Sequence, residues 1–127
     1  MSYEESLKCI SLPASADLSA SQYKLVDVAS DGEIAIITSK GAKFAGVLQD
    51  APDAVGRVGA VGIDGVTKVR AGAAVTAGAN VIGDATARVI ATDATDQFVL
   101  GLALETATAA DDVIAVLIDK FQTSVTA

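Results

Sequence analysis

The residue types that usually carry chemistry are scarce in this 127-residue chain, which has no His, no Trp and one cysteine, Cys9. Ser and Thr are abundant, but a nucleophilic hydroxyl or thiol needs an adjacent base, most often His. Only lysine is left for that part. Cys9 has no partner for an internal disulfide and no imidazole to activate it, so it reads as a buried or inert thiol. Three pairs of carboxylates lie close in sequence: Asp50 with Asp53, Asp93 with Asp96, and Asp111 with Asp112. A calcium loop needs oxygen ligands at alternating positions and usually a closing Glu, and none of the pairs extends into that pattern. Each falls in a predicted turn, where Asp accepts hydrogen bonds from its own backbone. A pair of glycosidase carboxylates would further lack an aromatic platform for sugar, since the only aromatics are Tyr3, Tyr23, Phe44, Phe98 and Phe121.

Two other patterns invite a chemical reading. The glycines of "GRVGAVGIDG", at 56, 59, 62 and 65, resemble a phosphate-cradling loop only superficially, because such loops open a helix and the following "VTKVR" has the β-branched start of a strand. Glycines that let a strand bend or two backbones approach fit better. Lys40 in "TSKGAK" could sit at the hairpin tip of a lipoyl-type carrier, but it lacks the flanking Met or acid usual there. No catalytic, cofactor-binding or metal-binding residue emerges.

The elements that would position any site are those of a β protein. Nine basic against sixteen acidic residues give a net charge of -7. That balance repels phosphate backbones and argues against a nucleic-acid partner. No apolar run approaches the roughly 20 residues needed to span a bilayer, and "MSYEESLKCISLP" has acids where a signal peptide has a basic start. Residues 1–22 read as an N-terminal arm, apolar at Tyr3, Leu7, Ile10 and Leu12, interrupted by Pro13, with a turn of helix after Asp17. An arm with apolar residues and little local structure needs something to lie on.

Residues 23–120 read as one β domain. "YKLVDVA" and "EIAIIT" flank Asp31-Gly32, and "RVGAVGI" and "VTKVR" flank Asp64-Gly65, so two tight hairpins are predicted. "FAGVLQ", "ARVIAT", "FVLGLALE" and "DVIAVLI" supply further strands. The tandem "AGAAVT" and "AGANVI", residues 71–82, read as two bends carrying short extended pieces. Residues 121–127 form a short C-terminal tail. The expectation is an all-β fold, a small barrel or sandwich of about eight short antiparallel strands. With five aromatics in all, its core must be built from Val, Ile, Leu and Ala.

The order of "ADLSASQYKLVDV", "FAGVLQDAPDAVGRVGAVGIDGVTKVRAGAAVTAGANVIGDATARVIA" and "FVLGLALETATAADDVIAVLI" resembles the small decoration, or cement, proteins of tailed bacteriophage capsids. The likeness runs from about Ala16 through most of the chain, and "MSYEESLKCISLP" departs from it. The resemblance implies a non-enzymatic, β-rich protein made in the host bacterial cytoplasm. It would bind the outer face of the expanded head as a homotrimer at threefold or quasi-threefold positions, holding neighbouring major capsid subunits together. Tyr3, Leu7, Ile10 and Leu12 are then the expected capsid or inter-subunit contacts. The competing expectation is a small β module of a phage particle that binds glycans or another surface.

Overall fold

The computed structural model describes residues 5–94 and 96–122. Nine strands follow in order: β1 (Glu5–Pro13), β2 (Leu25–Ser30), β3 (Glu33–Ile36), β4 (Gly46–Leu48), β5 (Val58–Arg70), β6 (Asn80–Gly83), β7 (Val89–Ala91), β8 (Phe98–Ala103) and β9 (Val113–Gln122). Among the described residues there is no helix. All named strands join one antiparallel sheet in the order β3-β2-β4-β5-β9-β8-β6-β7, with β1 added to β5. The all-β expectation holds, as a curled half-barrel.

β5 organises the sheet. Val61 pairs with both Leu48 and Ile10, and Val66 with both Leu117 and Glu5. Opposite partners of one residue lie on opposite edges of its strand, so β4 and β9 occupy one edge of β5 in succession and β1 takes the other. The change of partner falls at Asp64-Gly65. The predicted hairpin there does not form, because a two-residue reversal of that type needs positive φ at both central positions. Only Gly65 has it, at 104°, and β5 runs through. At Asp31-Gly32 both residues do have positive φ, 37° and 81°, and the β2–β3 hairpin forms as predicted.

The curl closes where the ends of the sheet meet. Leu25 N donates to Ala87 O and Gly41 N to Gly83 O, each at 2.8 Å, and Arg70 N donates to Tyr23 O at 2.9 Å. Within the curl lies the main core, including Leu25, Val47, Val69, Val81, Leu100 and Val116. Neighbours along a strand point to opposite faces, so Val26 and Leu48 face outward. There they join Ala14, Leu18, Ile34 and Val61 in a second cluster. The buried hydrophobic residues are all Ala, Val, Leu or Ile. One polar string crosses the sheet: Gln22 Nε2 donates to Gln49 O, Gln49 Nε2 to Thr67 Oγ1 at 2.7 Å, and the Thr67 hydroxyl to Lys68 O.

The tandem repeat behaves as its glycines suggest. Ala71 bridges Val89, Val75 bridges Ala107, and bends at Gly72 and Gly78 separate these contacts from β6. Two other expectations need correction. No helical turn follows Asp17; its Oδ1 instead accepts the Ser19 N–H at 2.9 Å, and Ser21 N donates to Leu18 O, which closes a tight turn. The Ser19 hydroxyl and N–H hold the Asp17 carboxyl below its ordinary value. At the other end, Phe121 and Gln122 belong to β9 rather than to a tail.

Candidate contact surfaces

Of the proposed contact residues of the N-terminal segment, Leu7, Ile10 and Leu12 fall on a strand, β1. β1 pairs with β5 from Glu5↔Val66 to Pro13↔Val58, with register shifts between Glu5 and Lys8 and between Lys8 and Cys9. Those bulges insert unpaired residues and break the period of two, which hides the strand from a search for alternation. The apolar set is split between the two clusters. Leu7 lies over Gly62 and packs against the main core, whereas Leu12 packs, half-buried, against the outer cluster. Ile10 extends the row Leu48–Val61 and is 38% exposed. Tyr3 lies outside the described residues. Cys9 is exposed rather than buried.

Beside the end of β1 lies an apolar surface that the sequence reading passed over. Val55 is 68% exposed and Val58 is 61% exposed. Their loop is held firmly. Gly56 N donates to Ala14 O and Ala14 N to Arg57 O, both at 2.8 Å, Leu18 N donates to the carbonyl of the buried Pro52, and Arg57 Nε meets Asp53 Oδ1 at 3.1 Å. The only signal in "DAPDAVGRV" was two valines among turn residues.

A second surface arises from the strand order. Since β5 exchanges β9 for β4 near Gly65, the two strands diverge, and the fork between them forms a cleft of about 250 Å³ lined by Phe44, Phe98, Val99, Lys120 and Phe121. Lys120 Nζ spans the fork to Ala45 O at 2.8 Å. All three phenylalanines of the chain meet here. Phe121 is 43% exposed, and Phe44 and Phe98 are half-buried. In sequence they are separated by more than fifty and more than twenty residues, so only the topology brings them together.

The carboxylates serve the turns. Asp50 accepts the Ala60 N–H, and Asp53 pairs with Arg57. Asp93 pairs with Lys40 at 2.6 Å and accepts from Gln97 Nε2, and these two partners, Lys40 first, hold its carboxyl below the ordinary range. Lys40 thus sits in a loop fastened to the body at Gly41, not at a protruding tip. Asp96 is a left-handed turn residue, as is Asp111, which pairs with Arg88 at 2.9 Å. Asp112 accepts the N–H groups of Thr108 and Ala109 and the Thr108 hydroxyl, which lowers its pKa. No cluster of three metal-ligating side chains occurs among the described residues.

The fold and these surfaces define a small β scaffold with exposed apolar areas. The chain belongs to the phage cement protein family, whose sequence pattern matches residues 8–118. It is therefore a capsid-associated component of a phage virion, from a family of structural capsid proteins. Its fold is similar to that of the crystallised N base of the head fiber gp8.5 of bacteriophage phi29. The TM-score is 0.67, at 20% sequence identity, over 89% of this chain and 94% of that one. No curated protein matches the sequence.

Proposed function

We propose that this chain binds the outer face of the expanded phage head without catalysing a reaction. In this reading it sits as a homotrimer at threefold or quasi-threefold positions and holds neighbouring major capsid subunits together. The observation that carries the reading is the family match over residues 8–118. The contact set is Tyr3, Leu7, Ile10 and Leu12, of which Ile10 offers the most accessible apolar surface among the described residues. A site assembled only when the shell expands stabilises the expanded form, because a ligand that binds one state shifts the equilibrium toward it. Weak contacts add when each oligomer touches several subunits at once.

Co-sedimentation with undecorated shells tests this. Purified protein is expected to saturate expanded shells and to leave unexpanded precursors bare, and Ile10→Asp is expected to weaken binding at least tenfold. Equal binding to both shells, or to neither, overturns the reading.

A further inference from the structure

The cleft at the fork and the loop at 51–58 differ in a complementary way. The cleft is concave and aromatic, and the one charged residue lining it is the cation Lys120. The loop bears the two most exposed large hydrophobic residues, Val55 and Val58, beside the carboxylates of Asp50 and Asp53 and the guanidinium of Arg57. An aromatic side chain carries the largest apolar area a residue can bury. This protein nevertheless has no phenylalanine among its fully buried residues: all three line the cleft, Phe121 exposed and Phe44 and Phe98 half-buried. Val58 begins β5 and the fork lies at Asp64-Gly65, six residues further along extended chain, or about 20 Å. The loop therefore cannot fill the cleft of its own chain.

We propose that the Val55–Val58 loop of one copy inserts into the Phe44–Phe98–Phe121 cleft of the next, with the loop carboxylates facing Lys120. Two different patches that fit each other make a head-to-tail interface, which closes into a ring when the rotation between copies permits. Three copies give the symmetry of a threefold position. The inference rests on the cement reading for the number three; the surfaces themselves come from the geometry of this chain.

The test is analytical ultracentrifugation of the full chain. Wild type is expected to sediment as a trimer, and Val55→Asp and Phe121→Asp each as monomers that keep the circular dichroism spectrum of the wild type. An equimolar mixture of the two variants is expected to form a dimer, because the first keeps an intact cleft and the second an intact loop. Should either variant lose its circular dichroism spectrum, Val58→Asp replaces the first and Lys120→Glu the second, with the same outcomes required. A wild type that stays monomeric at about 1 mM, where even contacts with a millimolar Kd become populated, overturns the ring. So does a variant that stays trimeric, or a mixture that stays monomeric. Shell co-sedimentation separates the two readings: a monomeric wild type that binds expanded shells overturns the ring and leaves the cement reading standing. A trimer that ignores the shells overturns the cement reading and leaves the ring.

Discussion

At the scale of the residue, the tightest constraint is Gly101. It follows a register shift in β8 and faces Ile118 of β9. A Cβ placed there would collide with Leu117 O and lie 2.8 Å from Asp119 N, both backbone atoms of the partner strand. Backbone cannot rotate away as a side chain can, so the two strands would have to part. Gly101→Ala is expected to lower stability by about 2–3 kcal/mol, in the upper range for single substitutions, as read from urea unfolding midpoints. A loss under about 0.5 kcal/mol, the size of an ordinary surface change, would show that the β8–β9 register adapts freely. Much at this scale was legible in the sequence. The sequence marks the aspartates as turn residues, and Asp93, Asp111 and Asp112 do fix turns or pair across them. The phenylalanine cluster was not legible, since nothing in the spacing of Phe44, Phe98 and Phe121 encodes which strands diverge.

At the scale of the element, local signals succeeded where the neighbours agreed with them and failed where one strand changed partners along its length. Asp31-Gly32 turns because β2 and β3 pair directly on either side of that dipeptide, while β4 takes the other edge of β2. Asp64-Gly65 carries the same signal, but β1 runs past that dipeptide along the opposite edge of β5, from Val58 to Val66, and both halves of β5 find partners without reversing. The identity of β1 was hidden by its bulges. That identity changes what a deletion means: removing residues 1–13 from a loose arm would leave the domain intact, whereas removing β1 bares the edge of β5 from Val58 to Val66 and uncovers the packing of Leu7 and Leu12. Half-burial of two leucines contributes on the order of 2–3 kcal/mol, and an open strand edge invites pairing with other chains. The truncated chain is therefore expected to unfold at lower denaturant and to self-associate in light scattering. Ile10→Asp, at an exposed position, is expected to keep its stability within about 1 kcal/mol. A truncation as stable and monodisperse as the full chain would show that β1 contributes nothing to the fold and restore the reading of an independent arm.

At the scale of the whole molecule, the composition acquires a physical sense. The core is filled by side chains no larger than Leu and Ile, each of which buries less area than an aromatic ring. The three phenylalanines are left out of the fully buried core and line a cleft that keeps part of their area accessible. Such a chain keeps part of its apolar surface for contacts outside itself, and its stability should then depend on whether those contacts are made. A ligand that binds only the folded state stabilises it by about 2.7 kcal/mol when free sites exceed Kd a hundredfold. For a domain of this size that corresponds to a rise of the order of 10 °C in Tm. Differential scanning calorimetry of the protein with excess expanded shells is therefore expected to show its transition moved up by this order. By reciprocity of linkage the shell's own disruption temperature should rise with occupancy. Unexpanded precursors are expected to move neither transition. A bound chain that melts where the free chain melts would mean that the contacts form equally in the unfolded state. The apolar surface at Ile10, Val55, Val58 and the phenylalanine cleft would then have some use other than holding a shell together.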